Sequence, residues 1–318
     1  MKAVFLDFAT YYPQGLDVAA LKNAVPDFTF YDHTDPTDVT ARIQNADIIL
    51  TNKVVLDRDI IANAPDLKLI IAGATGYNNI DVDAARDCGV TVCNVRDYST
   101  PAVSQHTFML ILALRSQIMK YHTDVKAGRW QDSRDFCFLD YPIHELQGQT
   151  LGIYGYGNLG RNVESIARAF GMEVLIAARK GEKDIRAGRA HFDDVVKTAD
   201  IHTLHCPFTD ETRNMIAAAE LSTMKRSALL INTARGGIVN EGDLAEALKS
   251  DVIAGAGVDV LSQEPPNNGN PLLAADIPNI IVTPHVAWAS RQACQRLFDQ
   301  LVKVIDAYKN GVPMNVVS

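Results

Sequence analysis

The sequence predicts an α/β fold of two doubly wound parallel-sheet domains, and three observations carry that prediction. Short β-rich runs alternate with amphipathic segments of helical length, the pattern of βαβ units feeding a parallel sheet. The alternation is interrupted once, between residues 100 and 150, so it falls into two series. At 318 residues the chain also exceeds the size at which one hydrophobic core usually stops growing.

The first series opens with the strand KAVFLDF and continues through a helix over residues 17–23 and the strand FTFYD. A helix over 37–44, the strand DIILTN, a helix over 57–64 and the strand LKLIIAGA follow. A helix over 83–88 and the strand VTVCNV complete it. Residues 100–116 then form a long, largely apolar helix, and 118–150 form an irregular arm with few periodic features. A loop of that length in a compact domain is normally functional or packed on a partner. The second series runs from TLGIYGYGNLG through MEVLIAA, a helix over 192–198, DIHTLHCP, ALLINTAR, a helix over 241–249, AGAGVDV and NIIVTPHVA. A last amphipathic stretch covers 289–309, and its periodicity alone does not say which domain it joins.

Composition bounds the function. A hydrophobic share of 47% and a charged share of 21% suit a soluble globular chain with a large core, and set disorder aside. The net charge of −8 argues against a nucleic-acid partner, which would need clustered Lys and Arg to displace counterions. The opening MKAVFLDF is too short for a signal peptide, and no apolar run approaches membrane-span length. Five cysteines lack the spacing of metal ligands, so free thiols in a reducing, cytoplasmic compartment are expected, with no metal site.

The strongest local signal is Gly155-Tyr156-Gly157-Asn158-Leu159-Gly160, placed between a strand and a helix. There the first glycine permits a tight turn, the second lets the backbone approach a pyrophosphate, and the third lets the helix pack on the strand. About 20 residues on, a carboxylate would bind the ribose 2′-hydroxyl of NAD. This chain has Ala178-Arg179-Lys180 there instead. Two cations in place of a carboxylate suit the 2′-phosphate of NADP, so NADP(H) is expected to be favoured with NAD(H) possible. A solvated basic strand end is the plainer reading of the same pair.

Three further strand ends carry groups capable of chemistry: Asn232-Thr233-Ala234-Arg235-Gly236-Gly237, Asp259-Val260 through Glu264-Pro265-Pro266, and Thr283-Pro284-His285-Val286-Ala287. Ligands of open α/β sheets bind at such carboxyl ends. With the glycine run ahead of them, these segments resemble the D-isomer-specific 2-hydroxyacid dehydrogenase family, whose signatures appear here in order. ATGYNNIDVDAA, YSTPAVSQHTF and ADIHTLHCPFTDETRNMI extend the resemblance over nearly the whole chain, and TNKVVLD with HVAWAS is most similar to the glycerate dehydrogenase and hydroxypyruvate reductase branch.

The resemblance implies a Rossmann-type cofactor domain, 100–287, inserted in a flavodoxin-like substrate domain, 1–99 with 288–318, and a homodimer formed through the cofactor domain. It implies an NAD(P)-dependent enzyme that reduces a small 2-keto acid, hydroxypyruvate or glyoxylate first, to the D-2-hydroxy acid. Arg235 would orient the acid with its planar fork of donors, His285 would act as general acid/base, and Glu264 would favour its protonated form and fix its ring. His205, Cys206, Pro207, Thr212, Thr233, Ala234 and Ala287 would line the cofactor. Asp259 would meet the nicotinamide end, with a structural hydrogen-bonding role an equal alternative. Ala74, Thr75 and Gly76 would cradle the substrate carboxylate through backbone N–H groups, with Asn52 or Lys53 nearby. His106 reads as helix packing and Cys206 as a buried thiol. The competing readings are a formate dehydrogenase, which would place Gln where Glu264 stands, and a dinucleotide-sensing corepressor, which would bind cofactor without turnover.

Overall fold

The computed structural model describes residues 1–12 and 14–318, and within it the chain forms two compact units, Met1–Ser99 with Trp288–Ser318, and Thr100–Ala287. In the first unit, strands β1 (Lys2–Phe5), β2 (Asp27–Phe30), β3 (Ile48–Thr51), β4 (Leu69–Ala72) and β5 (Thr91–Cys93) form one parallel sheet in the order β2-β1-β3-β4-β5. Every residue of β3 and β4 is buried, which is why IILT and LIIA read as unbroken apolar runs: helices cover both faces of a parallel sheet. Those helices are short, namely α1 (Ala19–Asn23), α2 (Val39–Ile43), α3 (Arg58–Ala62) and α4 (Val82–Asp87). Two begin at aspartate caps, Asp57 accepting from the Ile60 amide and Asp81 from the Ala84 amide. The C-terminal helix α11 (Arg291–Lys309) belongs to this unit, burying Leu297, Phe298, Leu301, Val304 and Ile305, and the Phe298 ring stacks on Phe8 at 5.7 Å.

In the second unit, β6 (Thr150–Tyr154), β7 (Glu173–Ile176), β8 (Ile201–Leu204), β9 (Leu229–Asn232), β10 (Gly255–Val258) and β11 (Ile280–Val282) form a parallel sheet in the order β11-β10-β9-β8-β6-β7. Beyond β7, a parallel bridge joins Ala177 to Ala190. The chain leaves β6 for β7 on one side and returns to β8 on the other, so the order reverses between β6 and β8. α5 (Thr100–Arg115), α7 (Asn158–Ala169), α8 (Phe192–Thr198) and α10 (Glu241–Lys249) fall where the sequence places helices. Two others differ from expectation. Residues 118–150 open with a regular helix, α6 (Ile118–Lys126), none of whose residues is buried, so no core-facing apolar stripe betrays it. α9 (Ala218–Thr223) is one short turn-and-a-half with a single buried residue, Leu221.

Candidate active site

The glycine run sits where β6 ends and α7 begins, beside the reversal point of the sheet. Gly155 has φ 96°, and a Cβ there would lie 2.5 Å from the His205 carbonyl, so only glycine allows this turn to pass against residues 205–206. A Cβ on Gly160 would strike the Gly155 carbonyl oxygen at 2.4 Å. Gly157, the N-cap of α7, differs, because a Cβ there would meet nothing within 4 Å. Its missing side chain leaves open space against a helix N-terminus, the form that a pyrophosphate cradle requires. His205, Cys206 and Pro207 follow β8 and adjoin this turn. Burial pushes the Cys206 thiol up to about 11, as an unreactive buried thiol requires. Thr212 closes the next turn, donating to the Pro207 carbonyl at 2.8 Å and accepting from the Thr209 amide at 2.7 Å.

The basic pair after β7 divides. Arg179 is exposed with its backbone N–H donated to Glu182, whereas Lys180 is spent: its ammonium lies 2.7 Å from Glu220 and donates to the Met215 carbonyl at 3.0 Å. Of the two cations, Lys180 is thus engaged with Glu220 and the Met215 carbonyl, and Arg179 is exposed. A different cation is brought in by the bridge at Ala190. Arg189 lies with its guanidinium 4.9 Å from the Tyr156 ring centre, on the glycine turn itself.

Arg235, Glu264 and His285 follow β9, β10 and β11, three neighbouring parallel strands, so sheet topology delivers them to one edge although they are far apart in sequence. Asn232, almost fully buried, shapes the first turn: its amide group donates to the Arg235 carbonyl at 2.9 Å and its oxygen accepts from the Ala234 amide at 3.1 Å. The turn then presses on the second loop, since a Cβ on Gly236 would lie 2.0 Å from Leu261 backbone. In that loop Glu264 accepts the Leu261 amide at 2.9 Å through one oxygen and meets His285 Nδ1 at 2.6 Å through the other. His285 itself has φ 54°, a left-handed conformation that a non-glycine residue adopts only when its surroundings impose it.

Asp259 imposes it. Its carboxylate, 1% exposed, accepts the Thr283 hydroxyl at 2.5 Å, the Val286 amide at 3.0 Å and the Ala287 amide at 2.9 Å, while its backbone carbonyl accepts the His285 amide at 2.8 Å. Of the two roles the sequence leaves open for Asp259, these bonds supply the structural one. His106 of α5 joins the same network through Nε2 and Thr283 Oγ1 at 3.0 Å, and stands 3.6 Å from Asp259. It is more than helix packing, the role its sequence context suggests. Burial lowers its pKa, against the pull of Asp259. Glu241, at the start of α10, was likewise not among the residues that sequence reasoning identified. It accepts the Ser262 amide at 2.6 Å, the Ser262 hydroxyl at 2.7 Å and the Asn270 amide group at 2.6 Å, and so holds the loop that carries Glu264. Thr233 is tied to Thr107 of α5, hydroxyl to hydroxyl, at 3.0 Å.

In the first unit, Ala74, Thr75 and Gly76 follow β4, and Asn52 and Lys53 follow β3. Thr75 donates its hydroxyl to the Val95 carbonyl at 3.0 Å. Asn52 is buried, and its side-chain amide donates to Thr10 at 3.1 Å. Lys53 is exposed.

Residues 108–287 match the family described as "D-isomer specific 2-hydroxyacid dehydrogenase, NAD binding domain". A glycerate dehydrogenase from Methylorubrum extorquens is 46% identical over 318 residues, covering 99% of this chain and 98% of its own. A hydroxypyruvate reductase from Blautia hydrogenotrophica is 36% identical with full coverage of both. Among solved structures, an acyclic imino acid reductase in complex with NADPH and D-Arg superposes with a TM-score of 0.87 at 28% identity, covering 100% of each chain. Likeness of that strength over the whole length, on a sheet edge built as above, has one consequence: the chain belongs to the D-isomer specific 2-hydroxyacid dehydrogenase family, as an oxidoreductase of 2-hydroxy acids with a nicotinamide dinucleotide.

Proposed function

We propose that the enzyme reduces hydroxypyruvate or glyoxylate to the D-2-hydroxy acid, preferring NADPH to NADH, with His285 as the general acid. The observation that carries this reading is the 2.6 Å contact between Glu264 and His285 Nδ1. With Nδ1 given to a carboxylate, Nε2 is the atom that hands a proton to the substrate carbonyl oxygen and takes it back in the reverse direction. Arg235 supplies the planar fork for the substrate carboxylate and carbonyl. The dinucleotide, when bound, supplies the hydride that arrives at carbon. Gly155, Tyr156, Gly157, Asn158, Leu159 and Gly160 would hold its pyrophosphate, with His205, Cys206, Pro207, Thr212, Thr233 and Ala234 along it. Ala74, Thr75, Gly76 and Lys53 take the substrate carboxylate.

The NADPH preference is supported by Ala178 standing at the strand end in place of a carboxylate, by the exposed Arg179 and by Arg189 over Tyr156. Steady-state kinetics with a panel of 2-keto acids test the whole reading: kcat/KM is expected to be higher with NADPH than with NADH, and highest for hydroxypyruvate or glyoxylate. Arg179→Ala should erode the NADPH value by about tenfold or more, the worth of a charged phosphate contact, and leave NADH nearly untouched. Equal losses with both cofactors, or a higher kcat/KM with NADH in the unaltered enzyme, would remove the phosphate-binding role. The same assay excludes a purely sensory protein, which would bind dinucleotide without product.

A further inference from the structure

We infer that Asp7, at the end of β1, is a positioning residue for substrate binding: its side chain fills the backbone nest of residues 51–54 and fixes the backbone of the turn that carries Lys53. The inference rests on the reading that Lys53 and residues 74–76 take the substrate carboxylate.

Asp7 is 4% exposed, a carboxylate buried in the first unit. Three successive amides converge on it. The Asn52 N–H donates to Oδ1 at 2.8 Å, the Lys53 N–H to Oδ2 at 2.6 Å and the Val54 N–H to Oδ2 at 3.3 Å, and the Thr51 hydroxyl adds a fourth donor at 3.4 Å. Successive backbone N–H groups turned to one point make an anion-binding concavity. Here the anion is the protein's own, so an incoming carboxylate finds those donors taken. Burial raises the Asp7 pKa while the three amides pull it down.

The same short segment holds the second loop. The Tyr11 hydroxyl donates to the Gly73 carbonyl at 2.7 Å, and the Gly73 amide donates to the Thr51 carbonyl at 2.8 Å. A Cβ on Gly73 would sit 2.0 Å from the Tyr11 oxygen, so glycine is required there for the tyrosine to fit beneath the turn that begins at Ala74. Thr10 closes the set, donating to the Asp7 carbonyl at 2.7 Å and accepting from the Asn52 side chain at 3.1 Å. Asn52 thereby donates from both its backbone amide and its side-chain amide within this turn. Lys53 has its amide fixed and its side chain exposed.

The test compares Asp7→Asn, Thr51→Val and Lys53→Met in the full-length enzyme, reading KM for hydroxypyruvate, kcat, and the Kd for NADPH. An amide in place of the carboxylate turns an N–H against the nest, so Asp7→Asn should raise KM by about tenfold or more, the worth of a lost charged hydrogen bond, with kcat within about threefold and Kd unchanged. Thr51→Val, which removes one hydroxyl and keeps the shape, should move KM the same way by a smaller factor, and serves if the Asp7 variant does not fold. Lys53→Met should raise KM on its own. If it does while neither of the others does, the inference about Asp7 is wrong. If Lys53→Met leaves KM unchanged, the reading beneath it fails as well.

Discussion

At the residue scale, the site depends on groups that fix His285. Glu264→Gln keeps the shape and removes the charge beside Nδ1, so kcat for keto-acid reduction should fall by about tenfold or more, with dinucleotide affinity unchanged. Asp259→Asn should act on stability as well as rate, because its carboxylate accepts three bonds in a fully buried site. A loss of about 2 kcal/mol in urea unfolding is expected, the order of one charged hydrogen bond left unmade. Wild-type stability in that variant would show that the turn at residues 283–287 holds itself. Arg235, Glu264 and His285 were legible because strand-end motifs mark their own positions. Glu241, His106 and the pairing of Lys180 with Glu220 were not, because each joins segments distant in sequence, and a lone Glu, His or Lys looks the same whether it faces solvent or a partner.

At the scale of elements, β6 and β8 carry a buried polar pair in the sheet, Tyr154 hydroxyl to His202 Nδ1 at 3.0 Å, with His202 fully buried. Burial lowers the His202 pKa from 6.5 to about 4. The unfolded chain takes up a proton at 6.5 that the folded chain refuses until about 4. The stabilisation is therefore whole above pH 6.5 and drains as pH falls toward 4, by about 3 kcal/mol for a shift of this size. Urea midpoints measured from pH 7.5 to 4.5 should decline, and His202→Phe should flatten that decline; an equally steep fall in the variant would assign it to other groups. The arm after α5 shows the opposite balance. Met119, Trp130, Phe136, Leu139 and Ile143 are all exposed, Phe136 at 90% and Leu139 at 77%. We propose that a second copy covers them, as apolar surface on this scale marks an association site. Sedimentation should give twice the chain mass, and Phe136→Asp with Leu139→Asp should give the monomer; a monomeric parent enzyme would end the dimer proposal. The central strands were legible because they are buried on both faces and read as unbroken apolar runs, as in IILT, LIIA and LLIN. α6 was not: none of its residues is buried, and its sequence, IMKYHTDVK, carries no run of apolar residues.

At the scale of the whole molecule, a chain with net charge −8 that acts on an anionic acid needs cations set locally, and Arg235 after β9 and Lys53 after β3 are the two we propose for that role. Parallel topology is what gathers chemistry from remote sequence, because every strand of the second sheet ends on the same edge. The account stands on His285 as the proton donor. The measurement that reads this most directly is single-turnover reduction of hydroxypyruvate by His285→Ala with bound NADPH. The expected result is a rate lower by about a hundredfold to ten-thousandfold with NADPH affinity intact. A variant that turns over at close to the parental rate would contradict it.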